Sequence, residues 1–137
     1  MSVLVCVTGQ KCCERLIVAG AEIARAERDY PLTVLHVARI GGNVMGFVNE
    51  PEALEYLLRV SMEHGADMTV IFSDYAPAAA ATFVTENHVS RIVTGMHDGG
   101  SESFLVMFNR FAPEVSITMV AKDNLIYSMD VSRAAVR

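Results

Sequence analysis

Basic residues are few and scattered. Eleven Lys and Arg stand against 16 Asp and Glu, the formal net charge is −5, and no basic cluster occurs anywhere in the chain. Nucleic acid is an unsuitable partner on that ground, because holding a phosphate backbone needs a concentrated basic footprint. Cysteine is also scarce. Of the three, Cys12 and Cys13 are adjacent, which strains disulfide geometry, and Cys6 lies in an apolar run. No disulfide framework is legible, which fits a reducing compartment. The first residues, Met1-Ser2-Val3-Leu4-Val5, lack a basic n-region and a cleavage pattern, and no apolar run approaches the roughly 20 residues needed to span a bilayer. A cytoplasmic location without membrane insertion is expected. There is no Gly-x-Ser-x-Gly elbow, no recognisable grouping of Ser, His and acid, and no ligand spacing among His36, His64, His88 and His97. These absences argue against nucleophilic catalysis and against a metal site, so the chain is expected not to be an enzyme.

What is present is apolar. Hydrophobic residues make up 52% of 137 and charged residues 20%, a surplus that suggests strands buried on both faces or a surface that meets a second subunit. Residues 3–7 form a short apolar β-branched run, the pattern of a central parallel strand. After the turn Thr8-Gly9-Gln10, a helix over about 11–28 places Cys13, Leu16, Ile17, Gly20, Ile23 and Ala24 on one side. Pro31 ends it, and 32–38 reads as a second strand. Residues 39–50 carry three glycines and no helical period, which predicts a long loop. Pro51 opens a helix with Leu54, Leu57, Leu58 and Met62 inside and Gly65 as its cap.

A third strand is expected over 68–72 and a helix from Asp74 and Pro77 to near Asn87. A fourth strand is expected over 91–94, and a helix runs from Ser101, with Phe104, Leu105, Phe108 and Phe111, to Pro113. Residues 115–121 make the fifth strand. The methionines at 62, 68, 107 and 119 are expected in the core. Residues 125–131 form an extra strand, or an arm that adds to another subunit. Five strands alternating with four helices imply an α/β fold, a five-stranded parallel sheet with helices on both faces. The domain spans 1–121, followed by a C-terminal extension over 122–137.

In such a sheet, ligands bind at the carboxyl edge of the strands. That edge gathers the loops 8–11, 38–46 and 96–101. The third belongs to the stretch from Gly95 through Met96, His97, Asp98, Gly99 and Gly100 to Ser101, Glu102 and Ser103, a strand end, a glycine-rich turn and a helix start. Backbone N–H groups there can hold an anion, while Asp98 and Glu102 place two negative charges beside it. The alternative is a plain surface turn whose glycines serve the backbone. Cys12 and Cys13 lie where a helix dipole can favour a redox-sensitive thiolate, or they are simply small residues at a tight helix start.

Several local patterns, taken in order, resemble the universal stress protein family. They are Val3-Leu4-Val5-Cys6-Val7 at the start, Leu35-His36-Val37 closing the second strand, Ala76-Pro77 leading a helix into Val89-Ser90-Arg91-Ile92-Val93-Thr94-Gly95, and Phe111-Ala112-Pro113 before the fifth strand. The resemblance covers residues 1 to about 121 and implies a Rossmann-like fold of the adenine nucleotide α-hydrolase type. Of the glycine pattern that ATP-binding members carry after the fourth strand, only Gly95 has a counterpart. Asp98, Phe108 and Asn109 occupy the later positions. Val-Thr-Gly-Gln followed by Cys-Glu-Arg-Leu-Ile is also similar to the stress-protein-like domain of potassium-sensing histidine kinases, some of which bind cyclic di-AMP.

The resemblance implies a non-catalytic stress-response or signalling protein that senses an adenine nucleotide. Thr8, Gly9 and Gln10 would line the site, Val37 and Ala38 would meet the adenine, and Gly95, His97, Gly99, Gly100 and Ser101 would lie near the phosphates. It further implies a homodimer through the fifth strand, where Val115, Ile117 and Met119 would meet a second subunit, because an edge so free of charge needs a partner or a cover. The alternatives are a ligand-free interaction module with a degenerate nucleotide cleft and an unknown protein partner, a cyclic di-AMP binder, or a weak nucleotide hydrolase using magnesium at Asp98 and Glu102.

Overall fold

A strand built from Val3, Leu4, Val5, Cys6 and Val7 has no face that water can solvate, so it must lie inside a sheet covered on both sides. The structure, a computed structural model that describes residues 2–7, 13–38, 50–95, 101–121 and 125–129, places it there. β1 (Ser2–Val7) lies between β2 (Leu32–Ala38) and β4 (Val89–Gly95); β3 (Asp67–Phe72) flanks β2, and β5 (Ser116–Val120) flanks β4. With β6 (Ile126–Met129), the order is β3-β2-β1-β4-β5-β6. The first five strands pair in parallel, and β6 runs antiparallel to β5. The expected parallel sheet is present, and the C-terminal stretch resolves into an extra strand.

Side-chain alternation along β1 divides the interior in two. Val3, Val5 and Val7 join Leu16 and Ile17 of α1 (Cys13–Ala26) and Leu57 and Val60 of α2 (Glu50–Glu63). Leu4 and Cys6 face the other way, toward Ala80, Ala81 and Val84 of α3 (Ala76–Glu86) and Phe108 of α4 (Ser101–Phe111). Two helices on each face are what a parallel sheet with right-handed crossovers requires. Among the described residues, no helix is long and apolar enough to cross a membrane.

The helix ends follow their sequence signals. The N–H of Tyr30 donates to the Ala24 carbonyl at 3.0 Å as α1 unwinds, and Pro31 delivers the chain to β2, its carbonyl accepting from the Val3 N–H at 2.9 Å. Gly65 takes φ 72°, and the next N–H, that of Ala66, returns to the Ser61 carbonyl at 2.9 Å, closing α2 as expected of a glycine in the left-handed region.

Three expectations need correction. The inner face of α2 is formed by Leu57, Val60 and Ser61, while Leu58 is exposed and Met62 is 67% exposed. Positions 57, 60 and 61 fill the arc over the sheet, and Ser61 can lie there because its hydroxyl donates to the Leu57 carbonyl at 2.7 Å. Met62 is therefore not core, and Met68, Met107 and Met119 are half-buried.

The third correction concerns β5. Val115, Ile117 and Met119 were expected at an open edge, but Val115 precedes the strand and β6 of the same chain occupies that edge, with Ile117 opposite Met129 and Met119 opposite Tyr127. Val115 and Ile117 are buried in the α3/α4 core, and Met119 packs against it. The hairpin closes with the Ala121 N–H donating to the Leu125 carbonyl at 2.9 Å. On the opposite face, Arg91 Nη1 donates to Thr118 Oγ1 at 2.8 Å, and Thr118 Oγ1 lies 3.1 Å from Ser128 Oγ.

Candidate functional site

Where successive crossovers leave a parallel sheet in opposite directions, the loops part and a crevice opens at the carboxyl ends of the strands. Here α1 carries the chain from β1 to β2 on one side, and α3 carries it from β3 to β4 on the other side of β1. The crevice therefore lies outside the carboxyl ends of β1 and β4. Its walls are set by register: Val7 is opposite His36, Val37 and Ala38 continue beyond it, and Gly95 is level with Val120. Because α1 follows β1 and α4 follows β4, both helices begin on this edge, at Cys13 and Ser101. A helix start presents first-turn N–H groups that have no partner within the helix, the usual means of holding an anion without a basic side chain.

The structure thus brings together Val37, Ala38, Gly95, Ser101 and Cys13. Val37 is half-buried against the α3/α4 core, and Gly95 is buried at the end of β4 beside Thr94. Thr8, Gly9, Gln10, Cys12, His97, Asp98, Gly99 and Gly100 lie outside the described residues. Cys6, one strand position from this edge, is buried among apolar side chains that push its thiol up to about 12, so at neutral pH it is protonated and packs as a small hydrophobe. His64 lies at the opposite, amino edge, where it lines an open depression of about 310 Å³ with Arg25, Asp29 and Tyr30. Among the described residues there is no group of three or more His, Cys, Asp and Glu arranged to hold a metal ion.

One contributor was not visible as such in the sequence. His36 is 2% exposed, and its Nδ1–H donates to the Val7 carbonyl at 3.0 Å. Val7 is the last residue of β1, so this bond fixes the carbonyl from which the chain leaves the sheet for the 8–11 turn. The only sequence signal was a histidine within an apolar strand. Replacing His36 with leucine is expected to destabilise the protein by about 1–3 kcal/mol, the cost of a buried carbonyl left without a donor. His36→Asn, whose amide can donate from nearly the same place, should lose clearly less. Urea unfolding of both variants, followed by circular dichroism, checks this.

No protein-family model matches the chain, and no curated protein matches it. Solved structures do. A universal stress protein from Archaeoglobus fulgidus in complex with dAMP overlaps 88% of this chain and 96% of its own, with a TM-score of 0.59 and 21% identity. A universal stress protein in complex with cAMP overlaps 88% and 96%, with a TM-score of 0.65 and 14% identity. A universal stress protein family protein from Arabidopsis thaliana with AMP bound overlaps 88% and 92%, at 0.58 and 15%. By these overlaps, the chain has the fold of the universal stress proteins.

Proposed function

We propose that this chain is a non-catalytic stress-response or signalling protein of universal stress protein type, which binds an adenine nucleotide at the carboxyl edge of β1, β2 and β4 and acts as a homodimer in the cytoplasm. The observation that carries the reading is the convergence, on one crevice, of the strand end Val37–Ala38, which runs past the last β1 pair while still paired to β3, with the starts of α1 and α4. Backbone groups at Val37 and Ala38 suit the edge of a purine, and the helix starts suit a phosphate. Structures with the same fold carry dAMP, cAMP or AMP, which supports an adenine ligand. The acidic pair Asp98 and Glu102, with no Lys or Arg between Arg91 and Arg110, favours one phosphate over three.

A thermal-shift titration against AMP, cAMP, ATP and cyclic di-AMP, each with and without magnesium, tests this. At a hundredfold excess over its dissociation constant, a ligand adds about 2.7 kcal/mol, a rise on the order of 10 °C for a domain of this size. AMP or cAMP should give it, and ATP should give less. Flat curves with every nucleotide, on protein shown by mass spectrometry to carry no bound ligand, would overturn the reading. They would instead favour a ligand-free interaction module, for which the exposed apolar strand β6 is the supporting observation.

A further inference from the structure

α1 and α2 lie on the same face of the sheet and both end at its amino edge, at Ala26 and Glu63. Between these ends and the start of β2 is the open depression of about 310 Å³. Ala21, Ala24 and Leu32 give it an apolar lining, of which Ala24 and Leu32 are buried. Arg25 and Asp29 are exposed at it, and His64 is half-buried. Its volume is at the small end of the range for ligand pockets, about 300–1,000 Å³, and suits a molecule the size of one amino acid.

The chain sets opposite charges here through an uncommon backbone. After α1, Arg28 and Asp29 both take left-handed conformations, at φ 61° and 58°. α2 turns at its own end with Gly65, at φ 72°, the residue type that adopts this conformation without strain. At 28 and 29 side chains are kept where glycine would be easier, and backbone outliers of this kind cluster at binding sites. Had α1 continued, Asp29 would lie one turn from Arg25 on the same helix face and could pair with it. The left-handed turn takes Asp29 off the helix, and neither charge has an ion-pair partner among the described residues.

The geometry points to this depression as a binding site for a free α-amino acid with an apolar side chain. Arg25 presents a guanidinium fork, which suits a carboxylate. Asp29 suits an ammonium group, and so does the negative end of α2 beside Gly65, because the last turn of that helix carries no basic residue. The charges of Arg25 and Asp29 sum to zero, so a simple anion or cation would meet a like charge next to its partner. A zwitterion meets an opposite charge at each end. The apolar lining then takes the side chain. The site lies at the far end of the strands from the crevice of the proposed function and does not depend on a nucleotide there.

The test is titration of the isotopically labelled full chain with L-leucine, followed by backbone amide chemical shifts. Saturable shifts are expected over residues 21–32 and 64–65. Leucinamide, which lacks the carboxylate, and N-acetyl-leucine, which lacks the ammonium, should each bind about tenfold more weakly or worse. Arg25→Gln should lose affinity for leucine and cease to distinguish it from leucinamide. Asp29→Asn keeps a residue that tolerates the left-handed conformation and should cease to distinguish leucine from N-acetyl-leucine. Both positions are exposed, so circular dichroism and thermal midpoint should be unchanged. The inference is overturned by the absence of a saturable shift with leucine, by blocked forms that bind as well as leucine, by an Arg25→Gln protein with wild-type affinity, or by shifts confined to the carboxyl edge. The AMP titration reads independently of all four.

Discussion

Replacing Phe108 with alanine is expected to lower the free energy of unfolding by about 3–5 kcal/mol. Phe108 is the largest fully buried side chain among the described residues and stands at the centre of the α3/α4 core, in one cluster with Val84, Ile92, Ala112 and Ile117. Its ring stacks on Phe104 of the same helix, with centroids 6.1 Å apart and planes 8° from parallel. The hole left by alanine is bounded by the sheet on one side and by Ala80 and Ala81 of α3 on another, and alanines have no reach with which to fill it. The effect should extend to the site. α4 begins at the carboxyl edge, and Phe108 is two turns along it, so a loosened anchor lets the first turn drift and should also weaken the nucleotide binding proposed for that edge. Urea unfolding measures the first effect, and the thermal-shift response to AMP measures the second. A loss of less than about 1.5 kcal/mol would mean that α4 closes onto the sheet and repacks the core.

The parts of this fold that are legible in sequence are those where a residue has few choices. From Val3 to Val7 β1 has no polar residue, so it can only be central. α4 stops at Phe111, short of Pro113, which lacks the N–H a helix needs, and Gly65 takes the left-handed conformation that closes α2; α1, by contrast, ends at Ala26, before Pro31, where Arg28 and Asp29 turn left-handed. The helix α2 shows where legibility stops. With half of all residues apolar, there are more apolar side chains than interior positions, so Leu54, Leu57, Leu58 and Met62 form as good a helical stripe as the true one. The winning arc includes Ser61, whose polarity is satisfied by its own helix, a bond that hydropathy cannot register.

The same holds at the edges and at the site. The stretch 125–129 reads as extended and apolar, yet whether it covers its own β5 or another subunit's is decided by a hairpin closure between Ala121 and Leu125 that depends on backbone geometry. At the carboxyl edge, the groups that would hold a ligand belong mainly to the backbone. Their placement follows from strand order, which the alternation of elements announces, whereas their chemistry leaves no pattern of side chains to find. His36 was visible as a residue, but its task depends on the carbonyl of Val7, 29 positions away.

Gly20→Ala is expected to destabilise the protein by about 1–3 kcal/mol, although on a solvated helix the same change would stabilise by about 1 kcal/mol. Gly20 sits mid-helix in α1, where that helix rests on β1 and the start of β2. A Cβ added there would overlap Cγ2 of Val5 and come within 3.3 Å of Leu32 Cδ1. Leu32 can turn away, since its end is flexible. Val5 cannot, because it is β-branched, fully buried and held in the central strand between β2 and β4. The helix must then lift from the sheet, and Leu16 and Ile17, both completely buried beneath it, lose contact together. This sets the sign: the gain in helix propensity is local, while the strain is shared by a whole interface. Val5→Ala removes the obstructing methyl groups, so the double variant Val5→Ala/Gly20→Ala should be less damaged than the two single losses combined, with a favourable coupling of about 1 kcal/mol or more. Urea unfolding of the four proteins closes the cycle. A Gly20→Ala variant more stable than the wild type would show that α1 rides farther from β1 than this packing requires.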